Sequence, residues 1–176
     1  MVAMTWRNNI MEQLLSKLAA DFPSLTYAPG KQFCWSPETG EIFYNTTATG
    51  SRAEWSLLHE TGHALLAHKT YSGDFELLKL EICAWDKASD IAKSYGVIID
   101  DEHIQDCLDS YRDWLYSRSI CPTCSTKCLQ QSNYTQYRCF NCHTVWGVSP
   151  SRFCRSYRST KNIKQPAVFH LFNPAA

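Results

Sequence analysis

Residues 51–68 read SRAEWSLLHETGHALLAH, and the HETGH at positions 59–63 is an HExxH motif. The stretch predicts a helix from Ser51 to about His68. Positions four apart on a helix differ by about 40° around its axis, so both imidazoles project from one face toward one ion. Glu60 lies about 100° further round, where a carboxylate can take a proton from water without ligating the metal. The motif therefore predicts a metal-assisted hydrolase site with His59 and His63 as zinc ligands and Glu60 as the catalytic base.

The start of this helix carries its own signal. Ser51 and Glu54 have the spacing of a capping box, in which both side chains accept hydrogen bonds from backbone N–H groups at the helix start. The motif is therefore expected inside a well-capped helix.

A third zinc ligand is expected downstream, because two histidines alone make a weak zinc site. Glu81 has apolar residues three and four positions before and after it, so its carboxylate is expected on an apolar helix stripe. A buried, unpaired carboxylate is costly, whereas a metal ion compensates it. Glu76 and Asp86 have charged neighbours, and Asp74 fits a helix N-cap. Glu81 is the predicted third ligand; a buried, hydrogen-bonded glutamate is the alternative.

The rest of the N-terminal part predicts an α+β fold. Apolar spacing indicates a helix over 4–20, and two aromatic-rich runs around Ser36-Pro37-Glu38-Thr39-Gly40 indicate a β-hairpin. Further helices are predicted from Asp74 to about Tyr95 and over 102–118.

The sequence HETGH, followed after a loop by EICAW at residues 81–85, resembles the HExxH and ExxA helices of the ImmA/IrrE-like metallopeptidases. The resemblance spans roughly residues 4–118. It implies a small gluzincin-like domain with a helix, a short sheet, an active-site helix and a ligand helix. It also implies His59, His63 and Glu81 as ligands, Glu60 as the base, and a DNA-binding repressor, such as a helix-turn-helix protein, as the substrate. The family often has Asn or Asp followed by Phe-Ala after ExxA, and Trp85-Asp86-Lys87 departs from that pattern.

Two other readings of these motifs stay open. SprT/Spartan-like proteases, which act on proteins held on DNA, also combine HExxH with a C-terminal zinc ribbon, but they usually have a further His as third ligand. His68 is five residues after His63, too near on the same predicted helix for that role. The third reading is a non-enzymatic, zinc-stabilised nucleic-acid or protein adaptor. His68 and His103 are expected to be ordinary surface residues.

Two CxxC pairs, Cys121/Cys124 and Cys139/Cys142, are separated by 14 residues. Four thiolates close a tetrahedron around zinc without an open position, so the pairs predict a structural zinc ribbon. Cys128 and His143 are the substitute ligands. So small a ribbon has too little core to fold alone, and metal binding is expected to supply its folding energy.

Charge is distributed unevenly along the chain. All 17 acidic residues lie at or before Asp113, so residues 1–113 carry a formal charge of −8 and residues 114–176 carry +8. Either the two parts attract each other, or the basic part has an acidic or nucleic-acid partner. Aromatic residues lie among the C-terminal cations, as in single-strand binding proteins, although aromatics that only cover the zinc would give the same pattern.

The motifs and charge predict three regions: a metallopeptidase domain over 1–118, a zinc ribbon over 119–150 and a basic aromatic tail over 151–176. No run of about 18 apolar residues occurs, and the first residues lack a secretory apolar stretch. A cytoplasmic protein with two zinc ions, a protein substrate and no membrane partner is expected.

Overall fold

The computed structural model describes residues 2–148 and 158–166, with side chains from Ile10 onward. The expected tail over 151–176 therefore lies outside the described residues except for 158–166. Four helices and two small sheets occur within the described ranges, which confirms the α+β class. The elements are α1 (Val2–Asp21), β1 (Thr26–Gly30), β2 (Cys34–Ser36), β3 (Glu41–Asn45), α2 (Ser51–Leu65), α3 (Asp74–Ser94), α4 (Asp101–Ser119), β4 (Gln136–Arg138), β5 (Val145–Val148) and β6 (Arg158–Ser159).

The first sheet has the strand order β1-β3-β2. β2 and β3 form the expected antiparallel hairpin, closed by Gly40 at φ 71°. β1, which was not predicted from the sequence, pairs with β3 in parallel and contains Pro29. Proline has no N–H to donate, but β1 is an edge strand, where a ladder hydrogen bond can be missing at little cost.

The predicted capping box is wrong. The N-cap of α2 is Gly50 at φ 84°, and no side chain caps the helix. Glycine adopts this conformation without steric cost, so the helix start moves one residue upstream and Ser51 becomes its first residue.

The C-terminal end of α2 also differs from the expected end at His68. The helix ends at Leu65, and Ala67 follows with φ 50°. The Ala67 N–H donates to the Ala64 carbonyl, and the His68 N–H donates to the His63 carbonyl, both at 3.0 Å. These bonds form a Schellman motif, which turns the chain back over the last helical turn.

Asp74 is not the predicted N-cap of α3. It is the first residue of the helix, and its buried carboxylate accepts the hydroxyl of Tyr137 and lies 3.4 Å from Nη2 of Arg118. The exposed Glu76 instead accepts the Ser72 N–H at 2.7 Å. The sequence suggested a cap because an acidic residue before a helix gives the same local signal, whether it caps or is buried.

The chain divides into two compact units. The first unit comprises Met1–Thr70 and Lys79–Gln105, and the second comprises Tyr71–Leu78 and Asp106–Ala176. Helices α3 and α4 therefore each contain residues of both units. None of the helices in the described part of the chain has the length and hydropathy needed to cross a membrane.

Each unit has its own buried core. In the first unit, Leu18, Ile42 and Leu57 are fully buried, and they come from α1, the central strand β3 and α2. In the second unit, the rings of Tyr137 and Trp146 stack at 5.5 Å beside the buried cysteines. The cysteines of the second unit thus lie in a small cluster of thiols and aromatic rings, and Leu108 and Trp114 of α4 are buried in the same unit.

Candidate metal centres

Helix α2 places the two histidines of the HExxH motif side by side. Nε2 of His59 and Nε2 of His63 are 3.1 Å apart. His59 is buried and His63 half-buried, because this face of the helix turns toward the core of the first unit. The two nitrogens therefore converge on one point.

Helix α3 brings Glu81 to the same point. Its Oε2 lies 3.3 Å from Nε2 of His59 and 3.7 Å from Nε2 of His63. Ligands about 2.0–2.2 Å from a tetrahedral zinc are roughly 3.3–3.6 Å apart, so the three atoms have the spacing of such a site. His59, His63 and Glu81 form one of two groups in the described residues with the geometry to hold a metal ion.

A close approach of α2 and α3 makes this convergence possible. A Cβ placed on Gly62 would lie 2.5 Å from the Ala84 carbonyl oxygen. Gly62 is therefore the position at which α2 has no room for a side chain, and fully buried Ala84 lies against it on α3. The small residues of HETGH and EICA thus have a packing role: they let the ligand-bearing helices approach.

The electrostatics of Glu81 suit a bound cation. Burial alone would raise the pKa of this carboxyl, but the imidazoles of His59 and His63 outweigh burial and lower its pKa to about 2. The imidazole nitrogens lie 3.3 and 3.7 Å from the buried Oε2, but neither makes a well-aligned hydrogen bond to it. An ionised oxygen without a well-aligned donor, facing two imidazole nitrogens, is costly unless a positive charge sits between them.

Two neighbours hold the histidine rings in place, and both were missed from sequence. Nδ1 of His63 lies 2.8 Å from Nδ1 of His68, which is half-buried rather than an ordinary surface residue. The ring of Trp85 stacks on that of His59 with centroids 4.1 Å apart. Nδ1 of His59 itself has no hydrogen-bond partner in the described part of the chain. The contact of His68 with Nδ1 of His63 is of the kind that fixes the orientation of a histidine ligand.

His103 was also expected at the surface, and it packs instead against two tryptophans. Its ring centroid lies 4.9 Å from that of Trp55 and 5.7 Å from that of Trp85. Trp85 therefore contacts both histidines: it stacks on His59 and meets His103 edge to face.

Glu60, the predicted base, is anchored by the edge strand β2. One of its carboxylate oxygens, Oε2, accepts the Trp35 N–H at 2.7 Å, and the side chain is half-buried. The indole of Trp35 in turn donates to the His68 carbonyl at 2.7 Å. Glu60 is not part of the three-residue metal group. Its carboxylate is therefore positioned by a strand rather than by a metal ion.

The second candidate centre lies in the second unit and joins Cys121, Cys124, Cys139 and Cys142. Sγ atoms of Cys121 and Cys142 are 3.5 Å apart, as are those of Cys124 and Cys139. Sulfurs around a tetrahedral zinc are about 3.8 Å apart, so the cluster is close to that size. Neither of the substitute ligands, Cys128 and His143, belongs to the group.

The two CxxC turns share one local structure. In each, the first cysteine N–H donates at 2.8 Å to the carbonyl of a threonine five residues on, Thr126 or Thr144. The residue after each second cysteine, Ser125 or His143, has a left-handed φ of 59° or 61°. The threonine hydroxyls lie 3.2 and 3.1 Å from the sulfurs of the second cysteines. Such donors offset the burial of a thiolate.

Trp146 has no exposed surface and donates its indole N–H to the Arg118 carbonyl at 3.0 Å. It therefore belongs to the core and cannot stack on a nucleic-acid base. Phe140 and Tyr134, in contrast, are 73% and 52% exposed.

Comparisons of the chain with protein-family models, curated proteins and solved structures found no significant match.

Proposed function

We propose that this protein is a zinc-dependent metallopeptidase of the ImmA/IrrE-like, gluzincin type. One observation carries the proposal: His59, His63 and Glu81 converge within 3.1–3.7 Å, and Glu60 follows His59 on the same helix without joining them. Two nitrogens, one carboxylate oxygen and a neighbouring carboxylate are the parts of a zinc hydrolase.

Zinc fits both groups by its ligand preferences. Two imidazoles and a carboxylate form a three-ligand set that leaves a fourth position open, as catalytic zinc sites do. Four thiolates form a closed, structural set. We therefore assign one catalytic zinc to the first unit and one structural zinc to the second.

The chemistry divides between the ion and the chain. Zinc held by His59, His63 and Glu81 would polarise the scissile carbonyl and make water acidic. The Glu60 carboxylate accepts a proton from the attacking water and delivers it to the leaving amine, so the peptide bond breaks without a charged amide leaving group. The Trp35 N–H holds one oxygen of Glu60, which restricts the other to a narrow range of positions.

The geometry supports this proposal over the two alternatives. In a SprT/Spartan-like site, a histidine would replace Glu81, but His68 contacts Nδ1 of His63, away from the convergent Nε2 atoms. In a structural site, a fourth ligand such as Cys83 would close the coordination, but Cys83 does not belong to the group.

The substrate class follows from the family resemblance alone. By that resemblance the substrate is a DNA-binding repressor, and the four-cysteine unit would serve as a docking module for the substrate or for nucleic acid.

Cleavage of a candidate helix-turn-helix repressor tests the proposal. The Glu60→Gln variant should lose about 10²–10⁴-fold in rate while keeping its zinc, because the carboxylate acts in proton transfer and not in ligation. Glu54→Gln, a partly buried glutamate earlier on α2, is the matched control and should cleave at the wild-type rate. Equal rates for Glu60→Gln and wild type would overturn the mechanism.

A further inference from the structure

A surface groove of about 610 Å³ lies in the second unit. It is bordered by the first turn of α3, the end of α4 and the loops that carry the cysteines. Phe75, Leu129 and Phe140 line it with 76, 72 and 73% of their surface exposed. Single exposed apolar residues are ordinary, but several lining one concavity are typical of a binding surface.

The charge of the groove is positive. Its one acidic lining residue, Asp74, is buried and paired with Arg118 and the Tyr137 hydroxyl. Lys127 and Arg138 line the same groove, and neither has an acidic partner among the described residues. The Lys127 ammonium lies 4.5 Å from the centre of the Tyr116 ring, which holds it at the rim. An occupant would therefore meet two cations that no carboxylate offsets.

The floor of the groove is preformed. Tyr137 and Cys128 line it and are 2 and 5% exposed, and the Tyr137 ring stacks on Trp146. Because these groups belong to the core of the second unit, a ligand would not have to order them. Preorganisation of this kind lowers the entropy cost of binding.

The lining favours a polypeptide over a nucleic acid. Phe75 and Phe140 could each stack on a base, but Leu78, Leu115 and Leu129 line the same groove and offer no such face. Single-strand binding needs successive aromatic platforms along a track of cations, whereas here aliphatic side chains lie among the aromatic ones and the concavity is mainly apolar, with Lys127 and Arg138 as the cations that have no acidic partner among the described residues. Apolar anchors with a charged border are the pattern of a groove that takes an amphipathic peptide.

We propose that this groove docks a polypeptide segment whose apolar side chains are flanked by acidic ones. Binding rests on the groove alone. Only the further step, that the segment belongs to a substrate of the first unit, rests on the proposed peptidase function.

Fluorescence anisotropy with the full chain tests the proposal. The chain carries Glu60→Gln, so that a bound peptide is not cut, and zinc content is measured for every variant. The probe is a labelled peptide of about 14 residues with Leu and Phe at every third and fourth position and Glu elsewhere. Its twin has Lys in place of each Glu. An oligothymidine of about 15 nucleotides is the competing ligand.

The acidic peptide should bind with a Kd of about 10 µM at about 50 mM salt, and its Lys twin at least about tenfold more weakly. Leu129→Ser with Phe140→Ser should weaken binding at least about tenfold. Lys127→Glu with Arg138→Glu should reverse the preference toward the Lys twin, a result that misfolding cannot produce. Lys161→Glu, an exposed cation of the same unit that does not line the groove, should change nothing.

Four results would overturn the proposal: no binding of the acidic peptide at about 100 µM, equal binding of the two peptides, binding unaffected by the groove variants, or tighter oligothymidine binding lost in those variants. The last would assign the groove to nucleic acid. If the Glu60→Gln variant cleaved a substrate as fast as the wild type, the docking proposal would still stand, because no arm of this experiment measures cleavage.

Discussion

The two candidate metal centres are built in opposite ways. The His59, His63 and Glu81 group takes its ligands from two long helices, which the contact between Gly62 and Ala84 brings together. The four-cysteine group takes its ligands from two short turns with matching hydrogen bonds, and its thiols belong to a small buried cluster with the rings of Tyr137 and Trp146. In the first centre the fold positions the ligands, whereas in the second the metal is expected to hold the fold.

The largest effect should follow from disrupting the second centre. Cys139→Ser should unfold the second unit, because structural zinc sites supply about 10–16 kcal/mol of folding free energy in small domains. His59→Ala should leave the first unit folded. Hydrogen exchange followed by mass spectrometry would compare residues 121–146 with α2 in both variants. Cys83→Ser, a half-buried cysteine outside both groups, is the control. If residues 121–146 stayed protected from hydrogen exchange in Cys139→Ser, the metal would not be what holds the second unit folded.

An intermediate effect is expected at His68. Its ring nitrogen lies 2.8 Å from Nδ1 of His63, so His68→Ala frees a ligand ring to rotate. Loss of such a supporting contact typically costs about 10–100-fold in metal affinity or activity. Competition with a chelating dye measures the affinity of the first centre. The exposed neighbour Lys69→Ala should bind metal as the wild type does, and the same result for His68→Ala would remove His68 from the site.

Gly62→Ala should destabilise the first unit by about 1–3 kcal/mol. The direction of this stability change is informative, because alanine in a helix interior is ordinarily about 1 kcal/mol more stabilising than glycine. The added Cβ would meet the Ala84 carbonyl oxygen at 2.5 Å and push α2 from α3. Denaturant unfolding with Ser56→Ala as the control on the same helix measures the change. A stabilised Gly62→Ala variant would show that the helices are not held this closely.

The smallest effect is expected at Ala67, and it is stabilising. Ala67 has φ 50° at the end of α2, whereas the equivalent position after α3 is Gly96 at φ 67°. A left-handed residue with a Cβ costs about 1–2 kcal/mol, and added flexibility of the unfolded chain offsets part of the gain. Ala67→Gly should therefore stabilise the first unit by about 0.5–1 kcal/mol in denaturant unfolding. Destabilisation would contradict the observed turn.

Sequence patterns over a few residues predicted the helices, the hairpin and the residues that the structure brings together at both centres. The spacing of His59 and His63 fixes their relation within one helix, and the CxxC pairs fix theirs within one turn. Contacts between residues far apart in the sequence could not be predicted from these patterns. From the sequence, Asp74 has the position of a helix cap, whereas in the structure its carboxylate accepts the hydroxyl of Tyr137, 63 residues away. The position of His68 depends on a left-handed alanine, which propensity disfavours.

The zinc content of the purified chain, determined by elemental analysis without added metal, tests the account most directly. We predict about two zinc ions per chain in the wild type and about one in His59→Ala with His63→Ala, because the cysteine centre should keep its ion. The Cys139→Ser variant should lose the zinc of the cysteine centre and keep that of the His59, His63 and Glu81 group. A single zinc in the wild type that survives the double histidine substitution would contradict the catalytic centre.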